Sequence, residues 1–213
     1  MQPLQLFHKS AQRALLCAAT MLTCAALSAE HHDKSDKDTA FMKDAAKGGL
    51  MEVQMGKLGV EKGQNAEVKQ FAQKLIDDHS KANDELKQLA QKKGVTLPTE
   101  VDHKAHKMMD RLQNASGADF DKAFARHGVM DHKKDIAKFE KASNEVKDAE
   151  LKSFIQKTLP TLREHLQIAE RLSKNLGVDL TVASPDDDAD LEVSAKADAD
   201  RAEVKAARAS LSQ

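Results

Sequence analysis

Four large polar residues interrupt stripes of apolar residues that otherwise recur at helical spacing. They are one glutamate and three histidines: Glu52, His79, His132 and His165. Three imidazoles and one carboxylate match the ligands that Zn²⁺, Cu²⁺ or non-haem iron accepts in proteins. The pattern therefore predicts a mononuclear transition-metal site, provided that the four side chains converge.

An acidic residue precedes each of the three histidines: Asp78, Asp131 and Glu164. Neighbouring residues on a helix point about 100° apart, so each acid lies to one side of the imidazole that follows it. From there it could accept a hydrogen bond from an imidazole on another helix. We expect these acids to orient the metal ligands. His127 lies off the apolar stripe of its segment and is expected at the surface.

Four amphipathic helices must position these residues. The stripes predict helices over about 39–62, 66–93, 119–145 and 149–176. Asn65 and Asp148 are expected N-caps, and Gly94 and Gly177 are expected to end two of the helices. Pro160 should kink or restart the fourth helix. Glycines in the first helix should let a neighbouring helix approach closely. With a short crossover helix between the second and third, the chain is predicted to be all-α, a four-helix bundle.

Counting from the turns compares the depths of the four polar residues. His79 lies about 15 residues into its helix, His132 about 15 before the next turn and His165 about 18 after it, which places them within about one turn of each other. Glu52 lies about 10 residues before its turn, up to a turn from that level. A di-iron centre is not expected, because the residues three before the histidines are Ile76, Val129 and Leu162 instead of glutamates.

A polar layer inside a bundle also has a purely structural interpretation. Glu52 could be ionised and paired with a protonated histidine, so that hydrogen bonds fix the register of the helices. The protein would then be a structural or stress-response protein of the cell envelope, with a partner protein there. Both alternatives stay open at this point, as do the oligomeric state and the identity of any metal.

The first 29 residues are typical of a secretory signal peptide. Lys9 and Arg13 precede an apolar run that ends in small residues at Ser28 and Ala29. We expect an exported, periplasmic protein without a lipid anchor, because Thr23 stands where a lipoprotein needs a small residue before Cys24. Residues 30–38 are predicted to be a disordered leader. Cleavage would place His31 or His32 third in the mature chain, where it could help to bind copper, or the leader could simply be solvated.

Composition limits the remaining functions of the 213-residue chain. Its formal net charge of −1 provides no basic field for nucleic acid or an anionic membrane. Residues 39–178 form the predicted domain, and no transmembrane segment is expected in the mature chain. Residues 179–213 are polar and Ala-rich, so they are predicted to be a disordered or weakly helical tail. Phosphate loops, nucleophile elbows and cysteine pairs are missing from the sequence. We therefore expect binding and no enzyme.

Several segments resemble an exported bacterial family called domain of unknown function 4142. They are residues 41–53 (FMKDAAKGGLMEV), 68–79 (VKQFAQKLIDDH), 116–121 (SGADFD) and 158–166 (TLPTLREHL), together with His132. The resemblance spans about 40–176 and implies a ferritin-like bundle. The family's characteristic Glu, Asp-His, His and His positions fall on Glu52, Asp78-His79, His132 and His165. The family has no established activity, so the resemblance implies a fold without a function.

Overall fold

The computed structural model describes the backbone of residues 9–181, and the side chains of 36–181 apart from residue 104. This part of the chain is all-α and contains no strand. Its five helices are α1 (Lys9–Lys62), α2 (Ala66–Lys92), α3 (His103–Asn114), α4 (Gly117–Glu145) and α5 (Ala149–Asn175). Residues 182–213, which hold nearly all of the predicted tail, lie outside the described residues. No described helix is long and apolar enough to cross a membrane.

Helix α1 is much longer than the sequence pattern predicted. It has 54 residues, and the expected disordered leader at 30–38 lies within it. The prediction rested on the polarity of the leader, but the chain has no proline or glycine between Lys9 and Lys47 to end a helix there. Asp38, at the end of the expected leader, is buried, and its Oδ2 accepts a hydrogen bond from the backbone N–H of Asp148, 3.1 Å away.

The helix ends agree closely with the predicted caps. The side chain of Asn65 accepts a hydrogen bond from Glu67 N at the start of α2, and that of Asp148 accepts one from Leu151 N at the start of α5. Gly94 and Gly177 adopt positive φ angles of 67° and 68° after α2 and α5. The predicted crossover helix is α3. Helix α5 runs through Pro160 without restarting.

The long helices pack in two main pairs, α1 on α2 and α4 on α5, and further contacts join α2 to α5 and α1 to α4. Glycines permit the closest approach, as predicted. A Cβ atom on Gly56 would lie 2.7 Å from the backbone oxygen of Ala72 in α2. One on Gly59 would lie 2.6 Å from the ring of Phe124 in α4. Any larger side chain at either position would therefore push the helices apart.

The buried apolar residues form two clusters, one toward each end of the helices. The first includes Met42, Leu86, Phe139 and Ile155, and the second includes Met55, Leu75 and Phe124, among others. Along every long helix, the residues on the two sides of the predicted polar position belong to different clusters. The polar positions therefore form a layer that divides the core.

Two aspartates fasten the chain at the helix turns, and the sequence analysis identified neither. Asp121 of α4 is buried, with 3% of its surface exposed. Its carboxylate accepts hydrogen bonds from Gln64 N and Asn65 N, at 3.0 and 2.8 Å, and so holds the turn between α1 and α2. At the other end, Asp38 holds Asp148, the last residue of the α4–α5 turn and the N-cap of α5.

Candidate metal centre

All four predicted polar residues are buried, each on a different long helix. The exposed fractions are 0% for Glu52 on α1, 7% for His79 on α2, 1% for His132 on α4 and 0% for His165 on α5. Large polar side chains are rarely this inaccessible unless they bind one another or a ligand. The interruptions of the apolar stripes thus located a real polar layer.

The structure brings the three histidines together. The ring centroids are 5.8 Å apart for His79 and His132, 5.3 Å for His79 and His165, and 5.2 Å for His132 and His165. One ring nitrogen from each lies within 4.8 Å of the others. The closest pair, His132 Nε2 and His165 Nδ1, is 3.2 Å apart. Two imidazoles on a tetrahedral Zn²⁺, with Zn–N bonds of about 2.0–2.1 Å, would place their nitrogens about 3.3 Å apart.

The outer nitrogens of two of these rings have partners that accept hydrogen bonds. His132 Nδ1 lies 2.8 Å from the backbone oxygen of Gly128, and His165 Nε2 lies 2.9 Å from Oδ2 of Asp78. A carbonyl oxygen can only accept, and so can an ionised carboxylate, so both outer nitrogens must carry the hydrogen. In a neutral imidazole the other nitrogen then carries a lone pair. His132 and His165 therefore direct two lone pairs at each other across 3.2 Å.

His79 also offers one ring nitrogen to the cluster. Its Nε2 is buried and has no hydrogen-bond partner among the described residues. A buried polar atom without a partner destabilises the fold by about 1–3 kcal/mol. The cluster thus contains two lone pairs that face each other, on His132 and His165, and one nitrogen of His79 that has no partner.

Burial keeps the three imidazoles neutral. It lowers the pKa of His79 to about 3, and repulsion from the imidazolium forms of His132 and His165 contributes to this shift. Burial also lowers the pKa of His132 to about 4, and His165 adds to that effect. The pKa of His165 is lowered by burial in spite of its hydrogen bond to Asp78. At neutral pH, no proton is therefore held between the facing nitrogens.

Of the three acids expected to orient the histidines, Asp78 accepts a hydrogen bond from a histidine on another helix, His165. Burial raises its pKa, but hydrogen bonds from His165 and Lys74 outweigh that effect and hold the pKa below its usual value. Glu164 stands farther out, more than half exposed, and its carboxylate pairs with Lys74, which also pairs with Asp78. The Lys74 ammonium lies 3.2 Å from Glu164 Oε1 and 3.1 Å from Asp78 Oδ2. Asp131 faces a different cluster.

Glu52 does not share the cluster of the three histidines. Its carboxylate groups instead with His127 and Asp131, with one ligand atom from each within 4.8 Å of the others. His127, expected at the surface, is half-buried there. The spacing of His127 and Asp131, four residues apart on α4, was the available sequence signal, because such residues share a helix face.

The structural interpretation requires a protonated histidine beside an ionised Glu52. The pKa shifts favour the neutral form of both groups instead. Burial raises the pKa of Glu52 well above its usual value, and the neighbouring charge of Asp131 raises it further. The histidine pKa values are lowered, as described above. The predicted copper site at His31 or His32 concerns side chains that lie outside the described ones.

Comparison with known proteins identifies the chain by family and fold. The model of the family described as Domain of unknown function (DUF4142) matches residues 24–172. A solved structure, the crystal structure of a DUF305 fragment from Deinococcus radiodurans, is similar with a TM-score of 0.58 and 12% sequence identity. The match covers 65% of this chain and 96% of that one. The search of curated proteins gives no match.

Proposed function

The chain belongs to the DUF4142 family, a domain of unknown function, and for this member we propose that His79, His132 and His165 bind one transition-metal ion. One observation carries the proposal. Two imidazole lone pairs face each other at 3.2 Å because the opposite nitrogens already donate to Gly128 and Asp78. A cation between the inner nitrogens would turn this repulsive arrangement into coordination.

The ligand set selects among metals. Three neutral imidazoles suit Zn²⁺ and Cu²⁺ better than Mg²⁺ or Ca²⁺, and non-haem iron is a weaker fit once no carboxylate joins them. The hydrogen bonds from His132 to Gly128 and from His165 to Asp78 fix the ring orientations, as is usual around protein-bound metals. The Asp78 carboxylate also offsets part of the charge that the ion would bring into the core.

The proposed role is binding without catalysis. All three rings are nearly inaccessible, so an ion held there has no open face for a substrate. A wide surface groove along α2 and α5 is lined by other residues, including Lys81, Glu85 and Phe154. The proposal also includes a ferritin-like four-helix arrangement of α1, α2, α4 and α5, supported by their packing in adjacent pairs and by the family resemblance.

We place this function outside the cytoplasm, in the periplasm, on the strength of the signal-peptide pattern in residues 1–29. The test is the mass of the protein recovered from a periplasmic extract, which should correspond to cleavage after Ser28 or Ala29. Recovery of the uncleaved chain from the cytoplasm would contradict this part of the proposal.

Metal binding is tested by calorimetric titration of the metal-stripped full chain with Zn²⁺. His31 and His32 are both replaced by alanine throughout, because they could bind metal independently. Substitution is preferable to deleting the segment, since Asp38 at its end is buried and holds Asp148. His165→Ala should lower the Zn²⁺ stoichiometry by one ion per chain. His106→Ala, which removes an exposed histidine of α3, should leave it unchanged.

A gentler variant tests the geometry without removing a ligand. Asp78→Asn should weaken Zn²⁺ binding by about 10–100-fold, because the carboxylate orients His165. The neighbouring Asp77→Asn, on the exposed face of α2, is the matched control. A ligand that binds only the folded state stabilises it by about 2.7 kcal/mol at a hundredfold excess over Kd. If Zn²⁺ raises the melting temperature of the wild type and His165→Ala equally, the layer is structural, and a role in helix register or envelope stress is the better conclusion.

A further inference from the structure

A second group of ligating side chains lies between α1 and α4, apart from the three histidines. Glu52 comes from α1, and His127 and Asp131 lie one turn apart on α4. One ligand atom from each of these three residues lies within 4.8 Å of the other two. Two carboxylates and an imidazole, drawn from two helices, therefore lie close enough together to ligate one cation.

Glu52 is the residue that marks this space as incomplete. Its side chain is fully buried, and neither carboxylate oxygen has a hydrogen-bond donor among the described residues. A buried carboxylate without donors is one of the least favourable groups in a protein interior. Glu52 nevertheless lies on the buried face of α1, beside His127 and Asp131, which can both ligate a cation.

The surroundings of Glu52 carry an excess of negative charge. Asp131 and Asp135 both lie close enough to act on it electrostatically. Lys138, which acts on Asp131, is engaged by other acids, with its ammonium 2.9 Å from Asp44 Oδ2 and 3.3 Å from Asp135 Oδ1. A Cβ atom on Gly48 would lie 3.6 Å from Asp135 Oδ2, so α1 brings no side chain against Asp135 at that position. A divalent cation between Glu52 and Asp131 would add to the partial offset that Lys138 gives to Asp131 and Asp135.

We propose that Glu52, His127 and Asp131 form a second, separate site for a divalent cation. The two carboxylates make it a harder site than the three imidazoles, which suits Mn²⁺ or Fe²⁺. The site shares no ligand with the histidine cluster, although Asp131 and His132 are neighbours on α4. It does not depend on the function proposed above, and either site could exist without the other.

The competing arrangement is a proton shared between the carboxyl groups of Glu52 and Asp131. It would relieve the repulsion between them and leave no role for an ion. In that arrangement His127 would not bind an added metal ion. The two arrangements differ in one measurable property, which is whether the full chain binds Mn²⁺.

The experiment is a titration of the metal-stripped full chain with Mn²⁺, in which electron paramagnetic resonance measures the free ion. The wild type should bind one Mn²⁺ per chain. Glu52→Gln, which keeps the shape and removes the charge, should weaken binding at least tenfold. Glu61→Gln, at an exposed position of the same helix, is the matched control and should bind as the wild type does.

Two further variants keep the test decisive. Asp131→Asn should reproduce the loss if Glu52→Gln proves unfolded by circular dichroism. His165→Ala should bind Mn²⁺ normally, which separates this site from the histidine cluster. The proposal is overturned if the wild type binds no Mn²⁺, if folded Glu52→Gln binds it as tightly as the wild type, or if His165→Ala alone removes the binding.

Discussion

The neutral state of the buried histidines predicts how the metal-free protein responds to acid. The pKa values of His79 and His132 in the folded state are about 3 and about 4, whereas an imidazole in the unfolded chain titrates near 6.5. The unfolded chain therefore takes up protons first as the pH falls. Stability from these two residues is complete above about pH 7 and is lost progressively below it, down to the folded pKa values.

The size of this effect follows from the two sets of pKa values. Each pH unit between the unfolded and folded values is worth about 1.36 kcal/mol, so at pH 5 each histidine destabilises the fold by about 2 kcal/mol relative to pH 7.5. Both side chains are almost fully buried, so solvent screening gives little relief. We expect the pair to lower the free energy of unfolding by about 4 kcal/mol over this range.

Urea denaturation between pH 7.5 and 5, with a chelator present, measures the effect. Comparing each variant with the wild type cancels opposite contributions from Glu52 and Asp135, whose pKa values are raised in the fold. His79→Leu should reduce the loss of stability across this range by about 2 kcal/mol. His106→Ala should not change it. If His79→Leu and the wild type lose the same free energy, the imidazole is not held neutral and the argument for converging lone pairs is undermined.

Three further predictions concern stability. Gly56→Ala should destabilise the fold by about 1–3 kcal/mol in urea denaturation, because its Cβ would meet Ala72 O at 2.7 Å. Gly48→Ala, whose Cβ would lie 3.6 Å from Asp135 Oδ2, should be neutral or stabilising by up to about 1 kcal/mol. Equal effects of the two substitutions would refute the packing argument. Asp121→Ala should lower the free energy of unfolding by about 2–3 kcal/mol through two lost charge-assisted hydrogen bonds, and Asp119→Ala, its exposed neighbour, should change it little. Deleting residues 182–213 should leave the melting temperature nearly unchanged, since their sequence offers little apolar surface to bury, and a fall of many degrees would show that the tail docks on the helices.

Local signals predicted the helix ends and the polar layer. Asn65, Gly94 and Asp148 act within a few residues of themselves, so their effect can be inferred without knowing the tertiary structure. The buried positions of His79 and the other polar residues followed from apolar periodicity, which reports the inward face of a helix directly.

The partners of Glu52 and the burial of Asp121 could not be predicted in the same way. Which residue of α4 meets Glu52 depends on how far α1 slides and rotates against its neighbours, and close contacts at Gly56 and Gly59 set that register. Asp121 is polar and lies beside the apolar stripe, so its role depends on a turn 57 residues earlier in the chain. Polarity alone does not predict where α1 begins, because a polar segment without proline or glycine can continue a helix.

The bonds from Asp121 also determine how the turn between α1 and α2 exchanges its amide hydrogens with solvent. Backbone N–H groups in a short surface turn normally exchange through small local fluctuations. Those of Gln64 and Asn65 are instead held by a carboxylate that is itself 3% exposed and anchored on α4. Their exchange requires α4 to separate from the turn, so they should be protected like core amides. The turn is thereby joined to the cooperative unfolding unit of the helices that it connects.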